Sequence, residues 1–229
     1  MSLARNFATV ASSTMSSRLI GFVRDMFMAA ALGTGPVADA FLVAFRLPNL
    51  FRRLFAEGAF TAAFIPLFAR SLEEQGEVSA HKFAGEVLAV LALTLLIVTI
   101  IGEIFMAQLI AVIAPGFAAD PTKFALAVLL TRIALPYLAL ISLLAFYSGV
   151  LNGHGRFLAA AIAPALLNVV LVAALAYVLL NGLENTEQAG LLLSGATLLG
   201  GLAQLGLVIA ATRRAGIALP LLRPRLTAG

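Results

Sequence analysis

Long apolar stretches separated by short polar clusters dominate the pattern of the chain. A helix of about 20 residues crosses the roughly 30 Å of hydrocarbon in a bilayer. Four stretches are long enough and carry at most one charged residue each, so the pattern predicts four clear membrane spans. They are residues 87–113, 124–151, 157–180 and 188–212.

Two earlier stretches, about 4–32 and 36–70, are also apolar but carry several charges in their interiors. Clusters of Gly, Pro, Asn and Glu, such as EEQGEVS at 73–79, separate the stretches and favour turns over continued helix. The sequence therefore predicts six spans with short connections. Their expected bounds are about 4–32, 36–70, 82–113, 122–151, 157–180 and 188–212, followed by a basic tail at 213–229.

The composition supports an all-α integral membrane protein. Of 229 residues, 62% are hydrophobic and 11% charged, whereas a soluble domain carries about 25% charged residues. The absence of Cys excludes disulfides and thiolate metal sites, and no cofactor or metal is predicted. The net charge of +4 is scattered among apolar spans and forms no basic face, which argues against nucleic-acid binding.

Basic residues in the connections and termini predict the orientation. One side of the membrane receives eight of them and the other side receives Lys123 alone. The positive-inside rule makes the first side cytoplasmic, so both termini are expected inside. The eight residues are Arg5, Arg70, Lys82, Arg156, Arg213, Arg214, Arg223 and Arg225.

The first predicted helix carries charges in its interior. A wheel at about 100° per residue gathers Ser13, Ser17, Arg18, Arg24 and Asp25 on an arc of about 140°. An ionised side chain at the centre of a bilayer costs about 2.5–3.5 kcal/mol on insertion scales. We therefore expect this arc to face a polar interior, with the two serines as neighbours of the charges.

The second predicted helix also carries charges. Asp39, Arg46 and Arg53 recur at seven-residue intervals, Glu57 follows one turn after Arg53, and Arg52 is one position off this face. The surplus of arginine suits an anionic ligand, because guanidinium pairs bidentately with phosphate. Two alternatives remain: the arginines could be interfacial residues that snorkel, and Asp39 could be a helix-start charge near the outer surface.

Polar residues elsewhere have simpler interpretations. Pro48, with Asn49 beside it, predicts a bend or break in the second helix. His81 and His154 fall in predicted loops without companion ligands, so solvated histidines are expected. The glycine-rich stretch 195–201 is expected to allow close helix packing, since no strand precedes it as in a phosphate loop.

Together these motifs resemble the MurJ/MviN family of bacterial lipid II flippases, within the superfamily of multidrug, oligosaccharidyl-lipid and polysaccharide exporters. The resemblance follows family order along nearly the whole chain, and the run at 39–66 is the most specific part of it. The matching stretches are RLIGFVRD (18–25), DAFLVAFRLPNLFRRLFAEGAFTAAFIP (39–66), APGF (114–117), LPY (135–137), LN (151–152), RF (156–157), APALLN (163–168) and GGLAQL (200–205).

The resemblance implies a function and residue roles. It implies transport of lipid II, a polyprenyl diphosphate-linked peptidoglycan precursor, from the inner to the outer leaflet of the bacterial cytoplasmic membrane, with no enzymatic reaction. It matches Arg18, Arg24 and Arg52 to cavity arginines that engage the substrate. It also matches Arg53 to the family pattern, without a clear role. Acidic positions tied to the cavity and its gates are matched by Asp25, Asp39 and Glu57.

The resemblance covers only part of the family architecture. Family members have two six-helix lobes and two further helices, so this chain is expected to form the N-terminal lobe alone, as a fragment or half of a split protein. Its expected partners are lipid II, membrane lipids and the missing C-terminal lobe.

Other functions stay open on the sequence alone. The chain could be a lobe of another polysaccharide-lipid or multidrug exporter, or a truncated lobe that does not transport. An enzyme acting on polyprenyl phosphates is disfavoured, because the acidic loop residues have no Asp-rich or His partner for metal or nucleophilic chemistry.

Overall fold

The computed structural model describes residues 3–56 and 59–220. Within these ranges the side chains of residues 3–14, 16, 17, 47, 51–56, 59 and 61 lie outside the described set. The regular structure of the described residues is entirely helical, with no strand among them. The helices in chain order are α1 Leu3–Leu32, α2 Pro36–Ala56, α3 Ala59–Ile104, α4 Met106–Ile113, a 3-10 turn Pro115–Ala119, α5 Pro121–Ala134, α6 Tyr137–Gly153, α7 Leu158–Leu180 and α8 Glu187–Arg214.

Four helical segments in the described residues are long and apolar enough to cross a membrane. They overlap the four nearly uncharged stretches of the sequence, and the chain is accordingly a multi-pass membrane protein. The segments are Ala62–Ile104, Pro121–Gly153, Leu158–Leu180 and Glu187–Arg214.

Capping residues define where helices begin. Asp120 precedes Pro121, and its carboxylate accepts hydrogen bonds from the backbone N–H groups of Thr122 and Lys123, both at 3.1 Å. This arrangement satisfies two of the donors that a helix start leaves unpaired, and proline suits the first helical position because it has no N–H to satisfy. The α5 helix therefore has a fixed start at one end of the bundle.

The turn expected at residues 73–79 is a kink inside α3. Helical backbone occupies both sides of Gly76, whose φ of 81° and ψ of 172° interrupt the helix at that residue. A positive φ is open to glycine without steric cost. The predicted interruption of the helix is confirmed at Gly76, but it is shorter than expected, because Glu73, Glu74 and Glu77 are good helix formers and one glycine suffices for the change of direction.

Of the bend or break predicted at Pro48 and Asn49, the break was wrong. The α2 helix runs through both residues to Ala56. Proline removes a single backbone hydrogen bond, the one to the carbonyl of Ala44, and neighbouring helices can hold the flanking turns together at membrane depth. Pro48 is itself buried against such neighbours.

The bundle is assembled from a few long helix pairs. α7 packs along α8 and α1, α2 packs along α5 and α6, and α3 packs along α6. Two glycines of α8 permit close approach: a Cβ on Gly201 would lie 2.5 Å from Tyr137 Cδ2, and one on Gly200 would lie 2.6 Å from Leu167 Cδ1. The expectation of close packing at 195–201 is thus confirmed for these two residues.

The predicted tail at 213–229 begins within the bundle. Arg213 and Arg214 are the last residues of α8. The chain then turns back, and the Pro220 carbonyl packs so closely on Gly85 of α3 that a Cβ there would clash with it. Residues 221–229 lie outside the described residues. The described part of this tail therefore packs on α3.

Replacing Gly201 with alanine should destabilise the bundle through its contact with Tyr137. Overpacking costs about 1–3 kcal/mol, and we expect the apparent Tm of Gly201→Ala to fall by about 3–10 °C in thermal melts followed by circular dichroism. Gly206→Ala on the same helix is the matched control, because no atom lies within 4 Å of its Cβ position. Equal melting of the two variants would contradict the packing role.

Candidate functional site

A cavity of about 580 Å³, lined by both polar and apolar residues, lies in the bundle. Its wall contains residues from α1, α2, α3, α6, α7 and α8, so almost every long helix contributes to it. Arg24 is the charged residue in this wall. The other polar wall residues are neutral: Asn49, Tyr137, Ser148, Asn152, Asn168 and Gln204.

The Arg24 guanidinium is held by partners on two helices. Its Nε and Nη2 donate to Asp25 Oδ1 at 3.0 and 2.7 Å, and its Nη1 donates to Asn168 Oδ1 at 2.9 Å. Asn168 is buried on α7, across from α1. These bonds use three of the five N–H donors of the guanidinium, which leaves two for a ligand within the described surroundings.

The arc predicted on α1 is divided by the structure. Arg24 lines the cavity and has 25% of its side chain exposed, whereas Asp25 is 66% exposed and reaches Arg24 from the outer side. Arg18 is exposed, and among the described residues it makes no hydrogen bond or ion pair. The structure therefore brings Arg24 and Asp25 together but does not bring Arg18 to them.

A buried hydrogen-bond chain crosses the cavity wall. Tyr137 Oη lies 3.3 Å from Gln204 Oε1, and Gln204 Nε2 donates to the Ala163 carbonyl at 2.9 Å. Both side chains are 2% exposed. A buried amide that satisfies two partners is costly to move, because its displacement leaves unpaired polar groups. The chain thus ties α6, α7 and α8 together behind the cavity.

Apart from Asn49, the neutral residues of the cavity wall were not predicted individually from the sequence. Four of them nevertheless lie inside short stretches that carried the family resemblance. LPY ends at Tyr137, LN contains Asn152, APALLN ends at Asn168 and GGLAQL contains Gln204. A single amide or hydroxyl in an apolar helix creates no periodic pattern of polar residues. Only its position within one of those stretches indicated that such a residue could belong to the site.

Two amides in the wall have different environments. Asn49, predicted as part of a helix break, lies in the unbroken α2 helix and contributes to the cavity wall. Asn152 Oδ1 is buried and finds no hydrogen-bond partner among the described atoms. A buried polar atom without a partner costs free energy unless water or a ligand satisfies it. Asn152 is therefore suited to contact a polar occupant of the cavity.

A second charged group lies at the opposite end of α2 from the cavity. Asp39, in the first turn of α2, forms an ion pair with Lys123 at the start of α5. The Lys123 ammonium also lies 4.4 Å above the centre of the Phe117 ring, an arrangement that favours the cation. Asp39 thus joins two helix starts and does not line the cavity described above.

Several predicted site residues lie outside the described residues. Glu57 lies in the gap at 57–58. For the others the helical backbone is described but the side chain is not: Ser13, Ser17, Arg52 and Arg53. Their assignments remain predictions from the sequence.

The arrangement is suited to binding an anion. A fixed guanidinium with unused donors faces a wall of amides and hydroxyls that can bind neutral polar groups. In the part of the chain that the structure describes, no group of three or more His, Asp or Glu is placed to hold a metal ion. The described site can therefore hold an anionic polar molecule against Arg24.

Comparisons with known proteins agree on one family. A sequence profile described as "Lipid II flippase MurJ" matches residues 28–228. A "Probable lipid II flippase MurJ" of Rhizobium meliloti (strain 1021) is 53% identical over 99% of this chain and 42% of its own length. Proteins of the same name from Rhizobium tropici and Rickettsia prowazekii (strain Madrid E) are 50% and 36% identical, over 99% and 97% of this chain and 43% of their own lengths. The chain thus spans less than half the length of these curated relatives.

The pairing of Asp39 with Lys123 can be tested by exchanging the charges. Asp39→Lys and Lys123→Asp should each lower the free energy of unfolding, and the double variant should recover part of the loss, with a coupling of about 1 kcal/mol. Thermal melts of the four proteins measure this coupling.

The exposed pair of Arg70 with Glu74, at 2.9 Å, is the control. An i, i+4 pair of this kind contributes about 0.3–0.5 kcal/mol. If the coupling of Asp39 with Lys123 is no larger than that of the control, the two helix starts are not joined by charge.

Proposed function

Because the chain belongs to the MurJ family of lipid II flippases, we propose that it forms the N-terminal lobe of such a transporter. In this proposal it helps to move a polyprenyl diphosphate-linked disaccharide peptide from the inner to the outer leaflet of the bacterial cytoplasmic membrane. The function is transport, without bond making or breaking. The observation that carries the proposal is the Arg24 guanidinium, held by Asp25 and Asn168 at the wall of a membrane-embedded cavity.

The chemistry of this site fits the anionic end of such a substrate. Diphosphate oxygens accept bidentate hydrogen bonds from guanidinium, and Arg24 keeps two N–H donors for them. Within a low-dielectric wall such bonds are stronger than in water. The sugar and peptide groups of the substrate carry many neutral donors and acceptors, which Asn49, Ser148 and Asn152 can bind.

Six spans account for the helices of the described chain in this proposal. α1, α7 and α8 each form one span, and α5 with α6 forms another. The second span consists of α2 and the part of α3 before Gly76, and the third consists of the rest of α3 with α4. The charges of the connections support cytoplasmic termini.

A single lobe supplies one side of a transport pathway. Transporters built from two repeats bind substrate between the repeats and expose it to each side by rocking one against the other. We propose that the C-terminal lobe, which the longer relatives have room to encode, closes the cavity opposite Arg24. In that complex the exposed Arg18 and Asp25 would face this lobe, with Arg52 and Arg53 as further candidate contacts to the substrate.

Replacing Arg24 tests the central proposal. Arg24→Ala, introduced into the full-length protein, should lower lipid II transport at least tenfold, because a charge-assisted hydrogen bond is worth about 1.5–3 kcal/mol. The measurement is rescue of a strain depleted of its own flippase, together with a vesicle assay of lipid II translocation.

Arg70→Ala is the matched control, since Arg70 is exposed and bonds only to Glu74 among the described residues. Both variants should be present in the membrane at equal levels. Full rescue by Arg24→Ala would contradict the assignment of Arg24 to the substrate.

Asn168 should position Arg24. Asn168→Leu keeps the approximate volume but removes the acceptor of Nη1, so we expect about tenfold weaker binding of lipid II by the full-length protein in native mass spectrometry. Asn181→Ala on the same stretch of chain is the control, because Asn181 is exposed and donates to the Tyr177 carbonyl at 2.8 Å. Unchanged affinity of Asn168→Leu would show that Arg24 holds its place without Asn168.

A further inference from the structure

The two histidines of the chain meet in the structure. His81 lies on α3 and His154 follows the last turn of α6, and their Nε2 atoms are 3.2 Å apart. Both residues are half-buried, and their ring centroids are 5.3 Å apart. The expectation of two separate solvated histidines was therefore wrong, because the sequence could not show that the two predicted loops lie side by side.

The neighbouring carbonyl determines which nitrogen carries each proton. His154 Nδ1 lies 2.9 Å from the Val150 carbonyl oxygen, and a carbonyl can only accept a hydrogen bond, so Nδ1 must donate. Neutral His154 then has a bare Nε2, which accepts a hydrogen bond. Consequently the proton between the rings belongs to Nε2 of His81, and His81 Nδ1 is bare.

This pattern limits how many protons the pair can hold. A first added proton can occupy His81 Nδ1 and leaves the bond between the rings intact. A second can occupy only His154 Nε2, the atom that accepts this bond. Two N–H groups on two cations would then face each other across 3.2 Å, which is repulsive and leaves no acceptor.

Charged and apolar residues surround the histidine pair on α3. On α3, the acidic residue Glu77 lies one turn before His81. The part of α3 before Gly76 contributes the Phe68 ring, 5.7 Å from the His154 ring. Arg70 on that part is exposed and bonded to Glu74.

The pair lies at the end of α6 that lines the cavity. Ser148, Gly149 and Asn152 in the last turns of α6 belong to the cavity wall. We propose that His81 and His154 form a proton-sensitive latch between α3 and α6, closed with zero or one added proton and open with two. Opening the latch releases this end of α6 from α3 and loosens the adjoining cavity wall.

The test uses the chain in lipid nanodiscs with ring nitrogens labelled in its only two histidines. Nitrogen NMR at pH 7.5 should show one Nδ1–H ring and one Nε2–H ring. Because the chain has no Cys, Val78→Cys and Arg156→Cys accept spin labels at exposed sites on the two sides of the pair. The distance between the labels should lengthen or broaden at the pH of the second protonation.

A conservative variant sharpens the test. In His81→Gln the amide can still donate to His154 Nε2, but no positive ring faces His154, so the latch should open at a higher pH than in the unsubstituted chain. His81→Ala with His154→Ala should show no acid step in the label distance.

Three outcomes would overturn the proposal. One is a label distance that stays constant through both protonations. Another is a pair of rings that are both Nε2–H at pH 7.5, which would remove the bond to Val150. The third is tight binding of Zn²⁺ that is lost when either histidine is replaced. Such binding would identify the pair as metal ligands.

Discussion

A partly buried guanidinium at the cavity wall joins two helices of this bundle. An ionised side chain among apolar helices is costly, and Asp25 beside Arg24 and Asn168 across from it accept its hydrogen bonds and offset part of that cost. The bond to Asn168 requires α1 to lie along α7. This packing places Arg24 in the cavity wall beside residues of α6 and α7.

The charged part of the site was readable from the sequence because charges in a membrane helix are costly and therefore conspicuous. The wheel identified Arg24 and Asp25 on one arc of α1, and the structure joins them by hydrogen bonds. Asn168 and Gln204 cost much less to bury when paired. Nothing in the local pattern of α7 or α8 distinguished them from packing residues.

Contacts between distant parts of the chain were beyond the reach of local patterns. His81 and His154 are 73 residues apart, and only the pairing of α3 with α6 brings them together. Proline and glycine also misled in opposite ways. Pro48 was expected to bend or break a helix that continues unbroken, and Gly76 was expected in a turn-rich connection but lies at a kink between two helical runs. At Pro48 packing by neighbouring helices outweighed the local preference of the residue, whereas around the exposed Gly76 the helix-forming glutamates kept the connection short.

The C-terminal end of α1 is fastened to the loop between α7 and α8. The Asn185 backbone N–H donates to the Ala31 carbonyl at 3.0 Å, and a Cβ on Gly33 would lie 2.9 Å from Asn185 Oδ1. The helix can therefore tilt about this fixed end, and residues farther along α1 move the most. Arg24 lies about 12 Å along the helix from Leu32, so a tilt of about 10° displaces it by about 2 Å. That displacement exceeds what the bond to Asn168 can tolerate, which makes the placement of the Arg24 guanidinium sensitive to small rotations of one helix.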